Sequence, residues 1–362
     1  MNFKLMPTIA ASMFALGTVG HADPTIDQYV TFSGFGTLGV VHSDYSHADF
    51  IGNVVQLHGA GYSRSWTPTP DSDLGGQANF TLTDALSSVV QVLSRDDADG
   101  NFKPKVEWAN LKYEFTPDFA VRIGRIVLPT YQHSDIQNVA YALPWVRVPI
   151  EINYTDKAEY SDGIDLLYRV KTGAVTQNLQ VQLGSTTEDL PGTVFTSIHA
   201  NVGVFSDTLQ YGYTSVHLVY QNYDHTGFPP VRLRLVGAGL TYDPGAWFVT
   251  GDSNYTQDTY FGDFFAWYVS GGVRLGRFTP YTIYSTTRAP SAGTSGLRSL
   301  GNERTVSAGV RWDFAKNLDT KLQLQQVTID TLDDPASFAN LQPGVRVGDK
   351  ANVLSLALDF VF

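Results

Sequence analysis

The chain has 362 residues, a formal net charge of −11 at pH 7 and no cysteine. The acidic balance excludes a nucleic-acid binder, which needs a basic stripe. The absence of cysteine excludes disulfides, thiolate metal sites and thiol nucleophiles.

Residues Met1 to Ala22 carry one cation, Lys4, then an apolar stretch from Leu5 to Val19 and "GHA" before Asp23. This is the pattern of a secretory signal peptide, 1–22, with a small residue at the cleavage point. Losing it takes the chain from 362 residues at −11 to 340 at −12. No later apolar run reaches the roughly 18 residues of a membrane-spanning helix.

The remainder is rich in glycine (33), tyrosine (19) and phenylalanine (21), a mixture of turn-formers and β-formers. Its apolar residues alternate. In "GIDLLYRVK", Ile164, Leu166, Tyr168 and Val170 oppose Asp165, Leu167, Arg169 and Lys171. In "FFAWYVSGGVRL", Phe265, Trp267, Val269, Val273 and Leu275 oppose Ala266, Tyr268, Ser270 and Arg274. In "RTVSAGVRWDFA", Val306, Ala308, Val310, Trp312 and Phe314 oppose Thr305, Ser307, Gly309, Arg311 and Asp313. A period of two marks strands with two unlike faces. In "VRLRLVGAGLTYD" the parity switches near Leu235 and Val236. Either a bulge lies there, or Arg232 and Arg234 project above a membrane.

Strands are expected near 29–42, 74–83, 87–95, 105–116, 120–130, 163–171, 175–187 and 194–205. Others follow near 209–222, 231–242, 246–257, 262–276, 278–288, 304–315, 319–331 and 351–362. The segment 43–73 leaves room for another short strand piece. Tight links such as "TPDFA", "KTGAV" and "DPGAW" alternate with longer polar ones such as "HSDYSHADF", "RDDADGNFKPK" and "APSAGTSGLRSLGNE". Seven short turns and eight longer loops place both termini on the short-turn side. That is the plan of an all-β, transmembrane antiparallel barrel of about 16 strands. A soluble sandwich also alternates. Here, however, aromatics gather at strand ends beside turns (Tyr113, Phe115, Phe119, Tyr242, Trp247, Trp312, Phe314), as in an interfacial girdle. Closure also removes the sheet edges that lipid would not tolerate.

With the barrel in place, "NLKYEFTPDFAVRIGR" followed by a long irregular segment resembles the general porins of Gram-negative outer membranes. In that family a glycine–arginine pair ends a strand and the next loop folds back into the barrel. The ending "NVLSLALDFVF" is similar to the family's barrel-assembly signal, carried here by Phe360 and Phe362. Leu354, Leu356, Leu358 and Phe360 take the lipid face of that strand, Ser355 and Asp359 the lumen face, and the strand pairs with the first near Val30 to Val40. The resemblance spans 23–362. It implies a homotrimer of 16-stranded barrels in the outer membrane, passing ions and small hydrophilic solutes passively and without a cofactor. It further implies contact with outer-membrane lipid, lipopolysaccharide and the barrel-assembly machinery.

The resemblance makes 131–162 an inward-folded constriction loop, whose acids face basic residues on the wall. Connections this long inside a compact protein are usually functional. Asp135, Arg147 and Glu151 are its candidates for the lumen, while Asp156, Lys157, Glu159 and Asp162 run out to the next strand as a solvated cluster. On the wall, Arg125 stands where the porin pattern puts a constriction arginine, with Arg122 three residues earlier. Strict alternation turns only one of them inward unless Gly124 hosts a bulge. Arg95, on one face with Gln91, is a further wall candidate. Opposed charges across a water-filled gap make a transverse field, and rings of one sign bias the ions that enter. Loop acids and wall arginines nearly balance, so the sign of selectivity stays open. Where the better-known porins carry a proline–glutamate–phenylalanine–glycine run, this loop reads "LPWVRVPIEI". The acid is displaced, Arg147 is added, and Tyr141 and Trp145 offer a stacking platform. A substrate-selective pore therefore stands beside the general one.

Other functions fare worse. "GDSN" at 251–254 faintly resembles the serine motif of outer-membrane phospholipases. Ser253 needs a histidine base on the same wall, and the nearest is His217, two strands away. His42, Asp44, His47 and Asp49 in the first loop lack diagnostic metal-ligand spacing. The loops are modest for an adhesin or receptor. Neither an enzyme nor a metal protein is expected.

Overall fold

The computed structural model describes residues 29–97, 100–153, 159–189, 197–225, 230–290, 294, 301–332 and 335–362. The expected signal peptide 1–22, Asp156 and Lys157 lie outside the described residues.

Sixteen long strands follow one another antiparallel. The first eight are β1 (Val30–Ser43), β2 (Asp73–Thr81), β3 (Leu86–Arg95), β4 (Lys105–Thr116), β5 (Phe119–Val127), β6 (Tyr160–Thr172), β7 (Val175–Asp189) and β8 (Ser197–Tyr211). The rest are β9 (Thr214–His225), β10 (Arg232–Tyr242), β11 (Trp247–Asp258), β12 (Phe264–Val273), β13 (Phe278–Arg288), β14 (Glu303–Ala315), β15 (Leu318–Ile329) and β16 (Lys350–Val361). The last strand returns to the first, in register from Phe35 opposite Val361 to Ser43 opposite Val353. The sheet closes into a barrel with no free edge, and every strand gains hydrogen-bond partners on both sides.

Alternation sorts the side chains onto two faces. Leu38, Leu111, Ile123, Leu240, Val306 and Leu324 are each about half or more exposed, while their sequence neighbours are more covered. A continuous outward apolar surface on a closed antiparallel barrel is the lipid face of a membrane barrel. Aromatic contacts mark its short-turn rim. Tyr113, Phe115, Phe119 and Tyr168 form one chain of rings there, and Phe278, Trp312 and Phe314 another.

In β10 the ladders on both sides run without a register shift. No bulge lies at Leu235. Leu235 turns inward and is fully buried, while Arg232 and Arg234 point outward at the long-loop end. The parity switch is therefore the point where the strand leaves the apolar band. A bulge does occur between β3 and β4, where Glu107 is the extra residue opposite Gln91 and Val92.

The segment 43–73 does contain short strand pieces. Asp49–Phe50 pairs with Ala60–Gly61 and with Phe338–Ala339 of the last long loop. Phe50 and Phe338 are buried there with Val327 and Val353, a small apolar lid over one quadrant of the barrel. The polar groups of "HSDYSHADF" disperse into that lid. Asp49 accepts from Ser63 and Asn340, and Asp44 accepts from Asn352.

Candidate pore constriction

The long segment after β5 enters the barrel and crosses its lumen. Apolar content drives this. Leu143, Trp145 and Ile152 are buried against Phe248, Ala266, Tyr268, Tyr281 and Ile283 of the inner wall. Trp145, fully buried, meets the Tyr268 ring edge-on at 6.0 Å. A short helix, Ile150–Asn153, carries Ile152 into the same contact, and its Ile150 is buried as well. Burying side chains of this size is worth roughly 1.5–3 kcal/mol each.

Polar ties then fix the loop's path. At its root Thr130 donates to Gln221, and Gln132 donates to Thr250 and accepts from Thr241. Farther along, the backbone carbonyls of Tyr141 and Leu143 accept from Arg311 at 2.6 and 3.0 Å, and that of Ala140 accepts from Lys321 at 2.6 Å. Lys321 is fully buried and salt-bridged to Asp359 at 2.7 Å, while Arg311 lies 3.0 Å from Asp319. Two wall cations, paired with the carboxylates of Asp359 and Asp319, thus hold the loop down on β14–β16.

The anticipated charges separate into four situations. Arg95 faces inward and meets the loop. Its guanidinium donates to Asn138 at 2.9 Å and to Glu159 at 2.7 Å. Glu159, expected to be merely solvated, is thus the loop's acid at the wall. Arg147 also binds, but across to the segment before β2. It grips Asp71 through two bonds of 2.6 and 2.5 Å and also donates to Gln325 and Ser355. Arg122 is inward and paired with the buried Asp165 at 2.5 Å. Asp135 is solvent-exposed.

Two assignments are corrected. Arg125 is not on the lumen wall. Its ladder partner is Asp162, to which it makes two bonds of 2.9 Å, and its guanidinium covers the Tyr160 ring at 4.0 Å. It shares the outward face of Ile123, which is 59% exposed. Gly124 takes φ +127°, which glycine tolerates, yet the register passes through it unbroken. Without an inserted residue the two-residue period sends Arg122 in and Arg125 out. Glu151 is the second correction. It is completely buried between the loop and the wall, so it is not a lumen charge. The hydroxyls of Thr305 and Ser285 stand beside it without forming a well-aligned hydrogen bond to it. Burial raises its carboxyl above the ordinary glutamate value, with those hydroxyls and Arg147 opposing.

A cavity of about 120 Å³ opens on the long-loop side. Asp71, Asp73, Arg95, Asn138, Arg147 and Glu159 line it. The sequence pattern missed Asp71, Asp73, Lys321 and Asp319. For the last two a signal existed, since "DTKLQLQ" alternates Asp319, Lys321 and Gln323 against Thr320 and Leu322.

A closed barrel with an apolar lipid face and an inner loop narrowing a polar lumen is a diffusion channel of the outer membrane. Comparison with known proteins agrees. A model described as the Gram-negative porin matches residues 8–332, and the chain belongs to that family. It is therefore an outer-membrane channel for passive diffusion of ions and small hydrophilic solutes. No curated protein sequence matches it. Among solved structures it is similar to the anion-selective porin from Comamonas acidovorans at 11% identity and TM-score 0.62, over 92% of this chain and 99% of that one. It is also similar to Salmonella typhi OmpF in complex with daunomycin, at 14% identity and TM-score 0.60, over 92% and 97% of the two chains. The trimer form of OmpT of Vibrio cholerae matches at 13% identity and TM-score 0.57, over 92% of this chain and 100% of that one. At these identities the likeness concerns the fold.

Proposed function

We propose that the narrowest passage lies between β3 and the inner loop, where Arg95 meets Asn138 and Glu159. The observation that carries this is Arg95 itself. It is the anticipated wall arginine that both faces the lumen and touches the loop at the open cavity. Solutes would then pass below it along Arg122 and Asp135. The mechanism needs no bond chemistry. A polar solute exchanges hydration for the paired charges of the neck, and an apolar one regains nothing. Catalysis through Ser253 finds no support, since its hydroxyl donates to the Ala238 carbonyl on the outward face while His217 points inward.

A solute-selective pore is the second reading. The cavity is small, and its cations are already matched by carboxylates. Such a neck discriminates by fit rather than by net field. Planar-bilayer recording decides between the readings. Ohmic current unaffected by sugars, amino acids or organic anions supports the general pore. Block at micromolar solute supports the selective one, and no current at all refutes both.

The chain is further proposed to work as a homotrimer. The outward faces of β2–β4 carry Gly76, Ala78, Ser88 and Ala109, small residues that allow close approach of a second copy. The Arg125–Asp162 pair lies on the outward face nearby, where exposure to lipid would be costly. Unheated protein in detergent then migrates as an oligomer that boiling dissociates. Export through a cleaved leader, 1–22, and recognition of Phe360 and Phe362 by the assembly machinery belong to the same reading.

A further inference from the structure

Pairing of the charges around the cavity beside the neck leaves one carboxylate over. Asp71, Asp73 and Glu159 line that cavity together with Arg95 and Arg147. Arg147 is taken by Asp71, and Arg95 by Glu159. Asp73 is the remainder. It is the first residue of β2, half-buried and lining the cavity at the long-loop end. In the ladders it stands opposite Thr37 of β1 and Arg95 of β3. Both neighbours are committed elsewhere. The Thr37 hydroxyl donates to Asp359 at 2.6 Å, and the Arg95 guanidinium is turned to Asn138 and Glu159. The Asp73 Oδ1 atom is covered and receives no hydrogen bond.

A carboxylate without a donor inside a cavity is costly unless a ligand completes it. The surroundings narrow that ligand. A solute anion would have to displace Glu159 or Asp71 from its guanidinium. A divalent metal wants several charged oxygen ligands, and among the described residues no group of three acidic or histidine side chains could hold one. A singly charged cation matches the single unpaired carboxylate. The inner loop adds Leu143, Val146 and Val148 to the same lining. That apolar surface suits an alkyl chain, whereas a bare alkali ion would keep its water.

We propose that Asp73 anchors a binding site for small primary alkylamines in their ammonium form. The ammonium donates to the Asp73 carboxylate through a charge-assisted hydrogen bond. Its other protons go to water or to the Gln137 amide, and its carbon chain lies along Val146 and Val148. The proposal rests on the reading of the neck as a solute-selective passage, and names the class of solute selected. Asp73 is then a specificity residue of the wall, separate from the Arg95 contact that narrows the passage.

The test records the full mature chain in planar bilayers, with butylammonium, methylammonium, butyrate or 1-butanol added to potassium chloride. Butylammonium is expected to block at a concentration roughly tenfold below that of each of the other three. Asp73→Asn should raise its half-blocking concentration roughly tenfold, the loss of one charge-assisted bond. Asp73→Glu, which keeps the charge, should retain the block. Asp118→Asn, on an exposed short turn, should match wild type. Heat-dependent migration shows that each variant is folded, and the four-solute comparison on wild type stands even where Asp73→Asn does not assemble. Current that butylammonium leaves unblocked overturns the proposal. So does equal block by butyrate or butanol, or undiminished block in Asp73→Asn. Methylammonium as potent as butylammonium also overturns it, because the apolar wall then takes no part. The selective-pore reading fails separately. It falls if no solute of any class blocks the current, and it survives if a sugar or an amino acid blocks where butylammonium does not.

Discussion

The ring of Phe362 lies over Gly34, so close that a methyl group on Gly34 would meet it at 2.2 Å. The two residues exchange both backbone hydrogen bonds, each of 2.9 Å, at the short-turn end of the seam. Two residues on, Phe360 covers Gly36 in the same way, and the two rings stack at 13°. The terminal phenylalanine is thus a packed closure element, seated where the first strand has no side chains.

Replacing Gly34 by valine should dislodge that ring. Overpacking of this kind costs about 1–3 kcal/mol, so the temperature at which the folded band converts to the unfolded band should fall. Deleting Phe362 should lower the outer-membrane yield more than it changes single-channel conductance. Normal yield in the deletion would leave the ending as strand packing without a role in assembly.

Much of this was legible because the pleat gives a strand only two faces. Alternation in "NVLSLALDFVF" placed Leu356 outward and Asp359 inward, as found. The same rule applied to Ile123 would have placed Arg125 outward. The expectation went wrong by letting a family pattern override parity. The loop's contacts were not legible. Arg95 and Glu159 are 64 positions apart, Arg147 and Asp71 are 76, and each pair meets only once the barrel has closed. Charges alone do not tell a lumen-facing acid from Glu151, which apolar neighbours Ile150 and Ile152 draw into the wall.

Truncating Arg95 to alanine should widen the neck. Conductance should rise, and the freed Glu159 should shift the reversal potential in a salt gradient toward cations. Conductance indistinguishable from wild type would move the constriction elsewhere.

Arg147→Ala should loosen the inner loop. The Arg147–Asp71 pair is nearly sealed from solvent, with side chains 10% and 2% exposed. Breaking such a pair from one side costs about 3–5 kcal/mol, because a buried charge is left alone. Open-channel noise should rise and the melting temperature should fall. Arg147→Ala combined with Asp71→Ala should be milder than Arg147→Ala alone. A double variant worse than the single would show that the pair is not the loop's main tie.

The loop's seat should also respond to pH from both sides. Burial raises the carboxyl of Glu151 above the ordinary glutamate value of 4.5. Its folded state therefore prefers the proton. Its contribution to the seat is complete below the ordinary value and is lost as pH rises through the raised one. His133, buried beside Trp145, moves the opposite way. Burial first, and then His217, lower it from the ordinary 6.5. Its contribution is complete above that ordinary value and is lost as pH falls through the lowered one. Open-channel noise recorded from about pH 4 to about pH 9 should therefore rise toward both ends. Glu151→Gln should flatten the alkaline arm alone, and His133→Phe the acid arm alone. If Glu151→Gln leaves the alkaline arm in place, the loop is not held by a protonated Glu151, and the alkaline response must come from a group on the wall.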